Sequence, residues 1–154
     1  MAENAVMNNE FQVVVFKLGR EDYGISILRV QEIKRMTDIT RVPHAPDFIT
    51  GVINLRGSVL PVIDLKKRLD LPPGDYTDNT RIVIVKVEEI VVGMIVDAVL
   101  EVTTLNTDCI EPPQTVVNGV NAQYLEGVGK LDDRLLILLN LETIIGVNNE
   151  AVKP

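Results

Sequence analysis

The chain has 154 residues, 46% of them hydrophobic and 24% charged, with a formal net charge of −7. That is a globular composition, with room for one ordinary domain or two small ones sharing a core. It excludes a nucleic-acid binder of the usual kind, which needs clustered cations and stacking rings where this chain is acidic and only 4% aromatic. One cysteine (Cys109) and one histidine (His44) exclude an internal disulfide and a metal site built on them alone.

The N-terminus, MAENAVMNNE, has neither the basic nor the apolar region of a signal peptide, and residues 1–9 are expected to be a loose tail. No apolar run approaches the roughly 20 residues that span a bilayer, so no direct membrane insertion is expected and the protein is expected to be cytoplasmic. Val and Ile together number 38, and these β-branched types point to an all-β chain with minor helix.

Residues 11–18 (FQVVVFKL) read as a strand, turned back by GRED into a second strand, 23–28 (YGISIL). Residues 29–36 are open between helix and strand, because Val30, Ile33 and Met36 are spaced for a helical face in a segment short enough to be a kinked strand. Residues 37–48 carry two prolines and form a loop with one short edge strand at most; His44 is an ordinary loop residue there. Two strands follow, Val52–Leu55 and Val59–Ile63, around a tip of Arg56 and Gly57, where glycine supplies the positive φ of a tight turn. Asp64 is placed to cap a short helix over 65–69 by accepting from its free N–H groups. After a linker-like stretch, 72–79, come strands 81–87 and 90–96, a second proline loop at 111–116, a hairpin over 125–141 and a short terminal helix. Cys109 is expected to be a small buried or half-buried filler.

The chain repeats itself. GVINLRGSVLPVIDL (51–65) lies over GVGKLDDRLLILLNL (127–141) with Gly51/Gly127, Val52/Val128, Leu55/Leu131, Leu60/Leu136 and Leu65/Leu141 identical. Upstream, YGISILRVQEIKRM (23–36) lies over VGMIVDAVLEVTTL (92–105), matching Gly24/Gly93, Val30/Val99 and Glu32/Glu101. The offset is 69 residues in the upstream pair and 76 in the hairpin pair. Units of this size bury little surface alone, so the duplication predicts two small β-barrels packed on a joint core. The apolar runs 82–85 and 135–139 suit strands covered on both faces. The second copy has Asp132 and Asp133 where the first has Arg56 and Gly57. A hairpin tip of this fold therefore does not require arginine, and Arg56 either serves a function or pairs with a nearby carboxylate.

No nucleophile–base set and no phosphate-binding loop is present; GVGKL (127–131) lacks the GxxxxGK[ST] spacing. Nothing points to an enzyme, and no cofactor is implied. The segments EFQVVVFKLGREDYGISILRVQEI, ITRVPHAPDFITGVINLRGSVLPVIDL and LEGVGKLDDRLLILLNLE closely resemble the chemotaxis coupling protein (CheW) family, from about residue 10 to about residue 146. The resemblance implies two five-stranded SH3-like β-barrels around a shared hydrophobic core. It frames residues 10–148 as a single domain of two subdomains, about 19–80 and 81–148, with strand 11–18 left open between them and 149–154 as a tail. The family also includes the chemotaxis kinase and a receiver-fused form. With the chain ending at Pro154, the free-standing adaptor is the expected member.

The resemblance further implies a non-catalytic adaptor that couples the cytoplasmic tips of methyl-accepting chemoreceptors to the regulatory domain of a CheA-type histidine kinase. Such an adaptor is a monomer when free and is recruited to membrane-associated receptor arrays. Arg56, Glu32, Val30 and Gly51 fall on family positions tied to receptor contact, with Arg56 either donating to the receptor or bracing the groove through Glu32. Met36, Ile39 and Val42 are expected to form an exposed apolar patch for the kinase. A coupling protein of a pilus-type array, or a sensor with an apolar ligand between the barrels, are the alternative readings.

Overall fold

The computed structural model describes residues 10–117, 119–131 and 133–146; the tails expected at 1–9 and 149–154, and Asp132, lie outside the described residues. β-branched runs, buried on alternate residues in β3 and on both faces along most of β1 and β2, produce strands β1 (Glu10–Leu18), β2 (Glu21–Ser26), β3 (Val30–Arg35), β4 (Ile49–Leu55) and β5 (Ser58–Asp64). A short helix, α1 (Leu65–Arg68), follows, then β6 (Arg81–Val87), β7 (Ile90–Val96) and β8 (Ala98–Asn106). The remainder is β9 (Ile110–Glu111), β10 (Val116–Val117), β11 (Val120–Asn121), β12 (Leu125–Leu131), β13 (Arg134–Leu139) and α2 (Leu141–Ile145). The open segment 29–36 is a strand: Val30, Glu32 and Lys34 alternate with exposed Gln31, Ile33 and Arg35, after a 3₁₀ turn at Ile27–Arg29. Asp64 and its repeat counterpart Asn140 cap α1 and α2, accepting from Lys67 N at 3.4 Å and Thr143 N at 3.1 Å.

Eleven strands form a five-stranded sheet of order β3-β6-β7-β5-β4 and a six-stranded sheet of order β8-β1-β2-β13-β12-β9, each rolled as an SH3-like barrel, while β10 and β11 pair with each other. These orders are the same once the repeat is applied, since β3, β6, β7, β5 and β4 correspond to β8, β1, β2, β13 and β12. Both contain one parallel pairing, Val62 with Gly93 and Leu138 with Gly24. The sheets do not part at the expected 80/81 divide. The hairpin β6–β7 completes the barrel of β3–β5, while β1–β2 completes the barrel of β8, β12 and β13, so the two copies exchange their hairpins. Strand 11–18, left open by sequence, thus pairs with β2 and β8 in the six-stranded sheet.

Exchange gives the hairpin strands two buried faces. From β6 and β7, Val83, Val85, Val87, Val92, Met94 and Val96 face a joint core, where they meet Val14, Phe16, Leu18, Tyr23 and Ile25 of β1 and β2. The other face of β6, Ile82 and Ile84, packs with Ile53, Leu60 and Val62 inside the five-stranded barrel. Val13 and Val15 do the same with Leu105, Leu136 and Leu138 inside the six-stranded one. All four residues 82–85 are buried, as the apolar run predicts. The run 135–139 is buried from Leu136 onward, but Leu135 is 47% exposed, because β13 begins beside the open hairpin tip.

Candidate functional site

The hairpin β4–β5 turns through Arg56 and Gly57, whose φ values of 51 and 89 are both in the left-handed region that a two-residue turn of this hand requires. The Asn54 side chain steadies the turn, its Oδ1 accepting from Gly57 N at 3.0 Å. Arg56 stands outward from this tip, and its Nη2 donates to Glu32 Oε2 on β3. The arginine side chain remains 73% exposed while the carboxylate is 27% exposed, so the guanidinium is held at one side and open at the other. The hydrogen bond from Arg56 is the main cause holding the Glu32 carboxyl below its ordinary value; burial works against it, and the charges of Arg56 and Lys34 assist. Val59 on β5 exposes an apolar side chain; Ile33 is also exposed, on the face of β3 opposite Glu32.

Of the four residues tied by resemblance to receptor contact, the structure brings two together, Arg56 and Glu32. Val30 is half-buried against the joint core. Gly51 is buried, and the space beside it is filled from its own chain: a Cβ there would meet the Thr40 carbonyl and lie 2.8 Å from Ile39 Cγ2. Thr40 pairs with Val52 through hydrogen bonds of 2.9 and 2.8 Å, which is why that backbone comes so close. The close approach at Gly51 is therefore the loop 36–48 crossing β4.

The exposed patch expected of Met36, Ile39 and Val42 is smaller than predicted. Met36 and Ile39 are half-buried against the core of the five-stranded barrel, tucked in by the Thr40 bridge, and Val42 is exposed. Val42 lines a cleft of about 640 Å³ together with Arg41, His44, Asp47, Lys67 and Tyr76. Cys109, expected as a filler, is exposed, because it ends a 3₁₀ turn that stands outside the sheets.

Arg56 is not the unmatched cation that the aligned tips suggest. In the second copy, Glu101 takes the place of Glu32 and accepts from Arg134 Nη2. Arg134 also lies 3.2 Å from Asp22, which in turn lies 3.2 Å from Lys17. Arg134 sits two positions beyond the counterpart of Arg56, so the alignment hides it; the Glu32/Glu101 identity was the available signal. The copies differ in how the arginine is engaged. Arg134 is shared between two carboxylates and 40% exposed, whereas Arg56 has one partner among the described residues and a larger open surface.

Among the described residues no cluster of three or more His, Cys, Asp or Glu could hold a metal ion, and no helix is long and apolar enough to cross a membrane. The arrangement offers a docking surface: one open guanidinium on a hairpin whose turn is held by Asn54.

Comparison with known proteins gives a consistent match. The family model for the CheW-like domain matches residues 12–148. The chain is 38% identical over 141 residues to the chemotaxis protein CheW of Klebsiella aerogenes, covering 92% of this chain and 85% of that one. It is 39% identical over 134 residues to that of Bacillus subtilis, covering 87% and 86%. Among solved structures, the scaffolding protein TtCheW of Thermoanaerobacter tengcongensis superposes with a TM-score of 0.84 at 40% identity, over 91% of this chain and 90% of that one.

Proposed function

The chain belongs to the CheW-like domain family, and from that premise we propose that it is a non-catalytic cytoplasmic adaptor of chemotaxis signalling. In this reading it couples the cytoplasmic tips of methyl-accepting chemoreceptors to the regulatory domain of a CheA-type histidine kinase. Its relatives carry the name chemotaxis protein, and its structural neighbour is named a scaffolding protein.

The observation that carries the receptor contact is Arg56. It occupies a left-handed backbone position that glycine or asparagine would fill at less cost, and its side chain is largely open. Held by Glu32, the planar fork keeps donors free for a carboxylate or backbone oxygens on a helix laid against β3 and the hairpin. Exposed Val59, on the same hairpin, supplies apolar surface for that helix, in the manner of helix-in-groove recognition. Val30 and Gly51 contribute from behind, by shaping β3 and β4.

Kinase contact is assigned to the loop side of the five-stranded barrel, through exposed Val42 and the outer edges of Met36 and Ile39. A contact of this size is weak alone and gains from being one of several in an array.

The test is a reconstitution of this protein with a receptor cytoplasmic fragment and a CheA-type kinase. Arg56→Ala is expected to leave the melting curve unchanged and to lower receptor-dependent kinase stimulation by roughly tenfold, the value of one charge-assisted hydrogen bond. Stimulation equal to that of the unaltered protein removes Arg56 from the receptor contact.

A further inference from the structure

Arg68, on the last turn of α1, reaches from one copy of the repeat into the other. Its Nε donates to Ile144 O at 2.8 Å and its Nη2 to Thr143 O at 3.0 Å. Both carbonyls lie in the last turn of α2. The guanidinium also lies over the Phe48 ring, 4.3 Å from its centroid, and over the Tyr124 ring at 5.2 Å. Phe48 and Tyr124 are counterparts at the 76-residue offset. Each is fixed in the same way, its carbonyl accepting from the capping residue of the neighbouring helix: Asp64 N to Phe48 O at 2.7 Å, Asn140 N to Tyr124 O at 2.8 Å. One ring leads into β4 of the five-stranded barrel and the other into β12 of the six-stranded barrel, so a single guanidinium sits between equivalent rings of the two. The counterpart of Arg68 is Ile144, fully buried, so the second copy contributes an apolar residue where a second arginine would repel the first.

Apolar burial in the joint core draws the barrels together without strong directional preference. Arg68 adds direction, through two hydrogen bonds of fixed fork geometry and a stacked plane. We propose that Arg68 is the positioning residue that sets the angle between the barrels.

The test uses the full chain with Cys109→Ser and spin labels at the exposed positions Lys86→Cys and Lys130→Cys, one on each barrel. With Arg68 in place the inter-label distance distribution is expected to be single and narrow. Arg68→Met should broaden or shift it while the thermal transition stays cooperative. Arg68→Lys should not rescue it, because an ammonium lacks the planar fork. An unchanged distance distribution in both variants overturns the positioning role. Should Arg68→Met not fold, Arg68→Lys and Tyr124→Leu carry the same measurements.

Discussion

Arg56 sits at a φ of 51, a region that costs an L side chain about 1 kcal/mol or more. Sequence alone could single it out as odd at a hairpin tip, but two roles fitted the oddity, a receptor contact and an internal pair. The structure provides the pair, and exposure leaves the guanidinium open for a contact as well. Arg134 was not legible, because its function is displaced by two residues along the hairpin and only the fold shows it reaching Glu101. The Glu32–Arg56 pair has a measurable signature. Glu32 is held below its ordinary value of 4.5, so its folded value lies under its unfolded one. The pair therefore contributes stability above the unfolded value, and that contribution is lost as pH falls through the folded one. Being near the surface, it contributes little in total. In Arg56→Ala the Glu32 carboxyl is expected to titrate upward toward 4.5, read from its side-chain carbon shift by NMR. A titration that does not move would show that the pair is not formed in solution.

At the scale of elements, strands and caps were legible where the pattern is local. Asp64 and Asn140 cap as their positions predict, and the β-branched runs are strands. Segment 29–36 was ambiguous because a bulge between Val30 and Glu32 interrupts the alternation and leaves Val30, Ile33 and Met36 at apparent helical spacing. Gly51 shows the opposite case. Its identity with Gly127 was plain, yet the close approach it permits comes from a loop eleven residues upstream, which no local period reveals. Gly127 faces the same constraint from Ile110 Cγ2 at 2.6 Å and Glu111 O at 2.9 Å. Gly51→Ala should accordingly cost about 1–3 kcal/mol, since the Ile39 side chain can yield but the Thr40 backbone must move with the whole loop. Urea unfolding should show a lower midpoint with an unchanged slope. A midpoint equal to that of the unaltered chain would mean that the loop does not press on β4.

For the whole molecule, the duplication was legible and the exchange of hairpins was not. Alignment matches residues but is silent on which copy a strand joins, and both assignments bury the same apolar faces. Exchange has a physical consequence that separate barrels would lack. The five-stranded barrel takes β6 and β7 from the second copy, and their odd-numbered or even-numbered faces reach the joint core and the barrel core by turns. Neither barrel can unfold without stripping strands from the other's covalent copy and opening the joint core. The chain should therefore melt as one cooperative unit. Leu138 tests this from one side. It is buried inside the six-stranded barrel beside Val13, Val15 and Leu136, while its neighbours Ile137 and Leu139 face the joint core. Leu138→Asp places an unpaired charge in that barrel and should unfold the chain outright. The milder Leu138→Ala should cost about 2–5 kcal/mol. In the milder variant, hydrogen-exchange protection of Val83–Val85, strands of the other barrel, should fall by the same free energy as that of Val13–Val15. If Val83–Val85 kept their protection while Val13–Val15 lost theirs, the barrels would be separate folding units and the exchange of hairpins would carry no cooperativity.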